Sequence, residues 1–253
     1  MSHEQLCGFF ERVEIESSAT VLIHSSFSGF ARQGIRAGEL IESGLEHLVN
    51  GTLMFPTLSW REVSPESPMF SVADTVSNVG FLSEVFRSKY AQARSVHPTH
   101  SIAATGRFTG LLTSTHHLAL TPCGVNSPWS IMGAIGTHII LLGCDLDSCT
   151  LFHTLEELIA PELYLSPEKE FYDCQLVDGR AVTVETRRHR RLYRNFWKFG
   201  EVLADAGLLQ ETKFNSIDVK VFSASDAMSL CAREFNRNPL ASLAEEGAKG
   251  KWM

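Results

Sequence analysis

The sequence predicts an α/β fold: a mixed β-sheet with helices on both faces. Three observations support this. Short β-rich runs alternate with segments of helical spacing along the chain. Asp178-Gly179 lies between two alternating runs, a strong hairpin signal that adds an antiparallel pair. The chain has 253 residues, 44% hydrophobic and 20% charged, which suits one large α/β domain. No repeat, linker or internal boundary interrupts it, so residues 1–253 are read as a single domain.

Residues 3–16 mix apolar and acidic positions and read as a first helix. Thr20 to His24 is a short strand. Ser25-Ser26-Phe27-Ser28-Gly29 follows it, and such a strand-to-loop turn can present backbone N–H groups to an anion. It carries neither G-x-G-x-x-G nor a P-loop, so an ordinary βα loop is the other reading. Residues 36–49 are helical in spacing and end at Asn50-Gly51. Residues 52–57 form the next strand. Residues 59–74, rich in Ser, Pro and Glu, read as a long loop of the functional or mobile kind. Residues 79–90 form a helix with Arg87 and Lys89 favourably placed at its end.

His97-Pro-Thr-His100-Ser101 precedes a strand at 102–105. Two histidines three apart could bind a metal. Pro98 forbids a regular helix between them and no carboxylate or cysteine is near in sequence, so no metal is expected. Residues 109–120 read as a helix, and 129–135 as a short one. Residues 138–144 are a buried strand. Asp145, Asp147, Ser148 and Thr150 are all capping residues, so a helix should begin near Ser148 or Thr150.

That helix puts His153 in its first turn and Glu156 on the same face, with Glu157 as a second candidate partner. A carboxylate fixes an imidazole's tautomer and raises its basicity, while a helix N-terminus favours the neutral ring. The pair could serve as a general base, or His153 could simply pack beside a solvated acidic face. Residues 171–177 and 181–185 form the hairpin. Arg187, Arg188, Arg190, Arg191 and Arg194 read as a solvated face or a phosphate contact. A helix at 193–208, a strand at 216–222 and a helix from Ser223 or Ser225 to Phe235 complete the pattern, with a frayed end at 244–253.

Composition narrows the function. A net charge of -7 argues against nucleic acid and is compatible with a cationic substrate. No apolar run approaches the roughly 20 residues of a membrane helix, and no signal peptide opens the chain. The six cysteines (Cys7, Cys123, Cys144, Cys149, Cys174 and Cys231) form no C-x-x-C, which fits a reducing cytoplasm.

Four stretches in order then bear a likeness: His24-Ser-Ser-Phe-Ser-Gly, Val96-His-Pro-Thr-His-Ser-Ile-Ala-Ala-Thr-Gly106, Ser127-Pro128 and Thr150-Leu-Phe-His-Thr-Leu-Glu156. The segment from Val76 to Arg87 adds to them. From Val21 to Phe235 the chain resembles the aminoglycoside 3-N-acetyltransferases, the antibiotic N-acetyltransferase family. The resemblance implies a three-layer α/β/α sandwich unrelated to the GNAT acetyltransferases, with acetyl-coenzyme A as donor and no metal. It carries the general base onto His153, its carboxylate partner onto Glu156 and an oxyanion contact onto Thr150. It places the donor's phosphate near His24, Ser25, Ser26, Phe27 and Ser28, and its pantetheine arm along Thr99 and Ser101.

The implied reaction is direct acyl transfer to a small-molecule amine: an aminoglycoside, a polysaccharide amino sugar or an aminophosphonate. A Cys149 acyl-enzyme is the competing scheme. A non-catalytic coenzyme A binder is a further alternative, and a serine hydrolase lacks its G-x-S-x-G elbow. A homodimer is left open.

Overall fold

The computed structural model describes residues 3–244, with side chains from residue 8 onward. Its strands are β1 (Thr20–Ser25), β2 (Thr52–Pro56), β3 (Met69–Ser71), β4 (Ala93–Arg94), β5 (Ile102–Gly106), β6 (Thr137–Leu142), β7 (Glu170–Gln175), β8 (Ala181–Thr186), β9 (Gln210–Phe214) and β10 (Ile217–Ser223). Its helices are α1 (His3–Arg12), α2 (Ser28–Arg32), α3 (Ala37–His47), α4 (Phe81–Lys89), α5 (Thr109–Thr113), α6 (Pro128–Ile131), α7 (His153–Ile159), α8 (Pro161–Tyr164), α9 (Trp197–Asp205) and α10 (Ala224–Arg237).

Seven strands form one mixed sheet in the order β4-β5-β2-β1-β6-β10-β9. β1 runs parallel to β2 and β6, and the outer pairings are antiparallel. Side chains of period two divide the central strands between two cores. Val21, Ile23, Leu53, Phe55, Ile140 and Leu142 face Phe9, Phe10, Leu40, Ile41, Leu82 and Phe86 of α1, α3 and α4. Leu22, Met54, Ile139 and Leu141 face Trp129, Leu155, Phe199, Leu203, Ala227 and Phe235 of α6, α7, α9 and α10. Both faces are covered, so β1, β2 and β6 read as unbroken apolar runs rather than alternating ones. This is the α/β/α sandwich that the sequence predicts.

Four expectations change. Residues 59–74 are not an open loop: β3 lies within them and pairs in parallel with β7, making a separate sheet β3-β7-β8. Val63, Phe70 and Val72 pack there against Tyr172, Cys174 and Val184. β9 is unpredicted because it is an edge strand, Gln-Glu-Thr-Lys-Phe, with only Phe214 buried. The helix expected at 109–120 is two pieces, α5 and a 3₁₀ turn at His116–Leu118. The helix expected from Tyr193 begins at Trp197, because Arg194 instead bridges to Leu243. Of the end expected to fray, Ala244 donates its N–H to the Tyr193 carbonyl, and 245–253 lie outside the described residues.

Two glycines test the backbone independently of the core. Gly106 has φ +122°, and a Cβ there would lie 2.2 Å from the Gly51 carbonyl oxygen. Gly179, in the hairpin, has φ +84° and open space around it. Gly179→Ala should cost about 1–2 kcal/mol, the left-handed penalty alone. Gly106→Ala should cost at least about twice as much, since the backbone must also move. Urea unfolding of both variants measures this, and equal losses would contradict the close approach.

Candidate active site

The chain places β2 on one side of β1 and β6 on the other, so the strand order reverses between β1 and β6. α/β proteins put ligands in the crevice outside the carboxyl ends of strands at such a point. Ser25 and Leu142 end the two strands in register. Gly143 then turns the chain with φ +65°, and a Cβ there would come within 3.1 Å of both the Ser26 carbonyl oxygen and Ile217 Cγ2. Only glycine lets the two loops approach so closely.

A cleft of about 950 Å³ opens there, lined on one side by Ser26, Ser28 and Gly29 and on the other by Gly143, Asp145 and Ser148, with Arg32, Lys220 and Arg194 contributing cations. Ser28 and Gly29 stand in the first turn of α2, whose leading amides have no intrahelical acceptor. The Ser26 amide is not available to an anion. It donates to the Leu142 carbonyl at 2.8 Å, extending the β1–β6 ladder by one residue. The Phe27 ring packs between Phe30 and Phe81. His24 and Ser25 lie beneath the loop, each with a buried polar atom that has no hydrogen-bond partner among the described residues. Burial depresses His24 to a pKa of about 3, so its imidazole is neutral.

Two 3₁₀ turns, Leu146–Ser148 and Thr150–Phe152, lead from the β6 end into α7. The helix therefore starts later than expected, at His153 itself. Its N-cap position is Phe152, which caps with no side chain, while Asp145 caps the first 3₁₀ turn instead. Thr150 is buried at the head of the second turn.

His153 Nδ1 lies 2.7 Å from Glu156 Oε2, and the Glu156 side chain is 0% exposed against 16% for His153. Arg194 Nε donates to both Glu156 oxygens, at 2.9 and 3.0 Å, and Ser242 Oγ donates to Oε1 at 2.6 Å. Burial alone would raise the Glu156 pKa, but His153 and Arg194 outweigh it and hold it at about 2. An ionised carboxylate can only accept, so the His153 proton sits on Nδ1 and Nε2 carries the lone pair. Glu157 turns elsewhere. It lies 2.6 Å from His189 Nε2 and accepts from the Cys123 amide at 2.9 and 3.0 Å, and burial pushes its pKa up to about 7.

Thr99 and Ser101 are fully buried and bonded inward. Thr99 Oγ1 is 2.8 Å from His100 Nδ1, and Ser101 Oγ donates to the Thr57 carbonyl at 2.8 Å. His97 Nδ1 accepts the amides of Thr99 and His100, so its role is structural. Burial drives the Cys149 thiol far above its ordinary value, which leaves it no thiolate to act as a nucleophile. The basic stretch is a solvated face only in part: Arg190 and Arg191 are exposed, and the other three arginines are half-buried. Arg187 pairs with Glu162, Arg188 donates to the Trp60 and Val63 carbonyls, and Arg190 donates to the Leu165 carbonyl. Ser242, and the role of Arg194 as a partner of Glu156, escaped the sequence reading because Glu156 is 86 and 38 residues away from them.

The model of the aminoglycoside 3-N-acetyltransferase family matches residues 22–236. The SPbeta prophage-derived aminoglycoside N(3')-acetyltransferase-like protein YokD of Bacillus subtilis (strain 168) is 24% identical over 245 residues, 88% of this chain and 88% of the relative. Aminoglycoside N(3)-acetyltransferase VII of Streptomyces paromomycinus is 32% identical over 190 residues, 64% of this chain and 62% of the relative. Among solved structures, the AAC-IIIb binary with CoASH has the same fold, with a TM-score of 0.79 over 94% of this chain and 97% of that one at 16% identity.

The Glu156 cluster makes a prediction about acid stability. Its folded pKa, about 2, lies below the ordinary 4.5. Its ionised form therefore contributes stability that is present above pH 4.5 and lost as pH falls towards 2. A gap of that size corresponds to about 3 kcal/mol at most. The stability difference between wild type and Glu156→Gln should shrink by up to that amount between pH 5 and the acid limit of folding. A difference that does not vary with pH would mean Glu156 is not held ionised.

Proposed function

The chain belongs to the aminoglycoside 3-N-acetyltransferase family and is on that ground an acyltransferase. From that premise we propose that it transfers the acetyl group of acetyl-coenzyme A directly to a primary amine of an aminoglycoside or a related amino compound, with His153 as general base. The observation that carries this reading is the 2.7 Å contact between His153 Nδ1 and Glu156 Oε2. His153 Nδ1 is committed to a buried, ionised Glu156, so the free nitrogen is Nε2 on a partly exposed ring.

The amine is mostly protonated near neutral pH and cannot attack in that form. Nε2 takes a proton from the amine or from its tetrahedral adduct, and Glu156 stabilises the imidazolium. The C–N bond forms, the thioester C–S bond breaks, and the coenzyme A thiolate leaves and is protonated. Thr150, buried three residues before His153, is the assigned oxyanion contact.

The cleft between the β1 and β6 loops is the site proposed for the donor. The first turn of α2 and Arg32 supply N–H groups and charge for phosphate, and the bound CoASH of the AAC-IIIb structure supports the same donor here. Thr99 and Ser101 enter the reading as residues along the pantetheine arm by the family resemblance alone, since their hydroxyls are spent internally. A cationic acceptor is favoured over an anionic one. Net charge is -7, and Arg187, Arg188 and Arg190 are each bonded to Glu162 or to a carbonyl. The span 1–253 is taken as one domain.

A thiol-release assay over a panel of amines tests the activity. His153→Ala should lower kcat by about 10²–10⁴-fold with little change in coenzyme A affinity. Glu156→Gln should lower it less, since the imidazole remains. Near-normal turnover by His153→Ala would remove the base from this position.

The donor site has its own test. Ser28→Glu puts a carboxylate in the first turn of α2, and like-charge juxtaposition is costly. Coenzyme A should bind at least about tenfold more weakly by calorimetry. Unchanged affinity in the folded variant would place the phosphates elsewhere.

A further inference from the structure

Three histidines from three distant segments converge at the start of α7. His100 comes from the loop before β5, His153 opens the helix and His189 follows β8. One ring nitrogen of each lies within 4.8 Å of one from each of the others. The ring centroids are 4.3 Å apart for His153 and His189, 4.8 Å for His100 and His189, and 6.1 Å for His100 and His153.

Each ring is already held at one nitrogen by an oxygen. Glu156 Oε2 is 2.7 Å from His153 Nδ1, Glu157 Oε1 is 2.6 Å from His189 Nε2, and Thr99 Oγ1 is 2.8 Å from His100 Nδ1. The unclaimed nitrogens are Nε2 of His153, Nδ1 of His189 and Nε2 of His100. Oxygen partners of this kind, two of them carboxylates, accompany histidines that bind metals, because they fix the ring and raise the basicity of the other nitrogen. Zinc–nitrogen bonds of 2.0–2.1 Å need three nitrogens roughly 3.3 Å apart, so the rings must close up from a cluster whose nitrogens lie within 4.8 Å.

We propose that His100, His153 and His189 form a three-nitrogen site for Zn²⁺ or a neighbouring first-row divalent ion, and that the bound ion blocks acetyl transfer by occupying His153 Nε2. Binding stands on the geometry of the three rings. Only its inhibitory consequence rests on His153 being the base. The alternative group, Cys123 with Glu157 and His189, also lies within 4.8 Å. It is the weaker choice, because its carboxylate is already bonded to the Cys123 amide and its thiol is fully buried.

The test titrates metal-free protein with Zn²⁺ by calorimetry and with Co²⁺ by its visible spectrum. One ion per chain is expected. His100→Ala and His189→Ala should each weaken binding by more than the 10–100-fold that loss of an outer partner typically costs. Cys123→Ser should leave binding unchanged. Zn²⁺ should also stop acetyl transfer, with activity restored by a chelator. An arm free of substitutions uses nitrogen NMR of the wild-type histidines, where Zn²⁺ should shift His100, His153 and His189.

No binding at millimolar Zn²⁺ overturns the site. So does binding insensitive to both histidine variants, binding lost in Cys123→Ser, or shifts confined to other histidines. Zn²⁺ binding at the three rings without any acetyl transfer would instead count against the function proposed above and leave the metal site standing.

Discussion

A carboxylate with no exposure must be surrounded by donors, and the region around α7 is arranged to meet that requirement for Glu156. An unpaired buried charge would cost several kcal/mol, far more than any single contact here returns. His153, Arg194 and Ser242 each supply a donor. Arg194 reaches Glu156 only because the backbone at 193–195 is extended rather than helical. That stretch in turn docks the chain beyond α10: Asn195 N–H donates to the Ser242 carbonyl and Ala244 N–H to Tyr193. The Tyr164 hydroxyl donates to the Pro239 carbonyl and lies 2.8 Å from Ser242 Oγ, tying α8 into the same knot. The residues after the last helix thus take part in the site by completing the shell of a buried charge.

The second constraint is the crossing at β1 and β6. Two parallel strands that end together send their loops into the same space, and the Gly143 turn allows those loops to touch. One loop contributes α2 and the other the two 3₁₀ turns before His153. The cleft proposed for the donor and the proposed base therefore descend from a single topological feature. Arg194, which lines the cleft and grips Glu156, joins them physically.

The sequence made the sheet, its helices and the His153–Glu156 pair legible, because those depend on local periodicity and on i,i+3 spacing. It left Glu156 and Glu157 as rival partners. The geometry separates them, since neighbours on a helix diverge by about 100° and only one can face His153. Residues 59–74 misled because a three-residue strand such as β3 has no periodicity to detect, and its partner β7 lies a hundred residues on. β9 misled because an edge strand with one buried side chain looks like a polar loop. The amide of Ser26 looked free because one extra ladder bond is invisible without the neighbouring strand. Arg187 and Arg188 looked solvated because they donate to backbone carbonyls, which no sequence pattern marks.

The His97-Pro-Thr-His100-Ser101 segment shows how a motif can matter to a site it does not chemically serve. Its His97 ring accepts two amides of its own turn, Trp129 Nε1 donates to the His100 carbonyl, and Ser101 locks onto the Thr57 carbonyl. These bonds fix the His100 ring beside His153 and His189. Burial holds His100 and His189 well below the ordinary imidazole pKa, so both rings are neutral. This bears on the base, since two unit charges about 4 Å apart repel by about 4 kcal/mol at an effective dielectric of 20. A protonated His189, with its ring centroid 4.3 Å from that of His153, would oppose the positive charge that the proposed base acquires when it takes a proton. Kept neutral, the neighbouring rings cover His153 without that penalty, and the charge in direct contact with its ring is the Glu156 carboxylate.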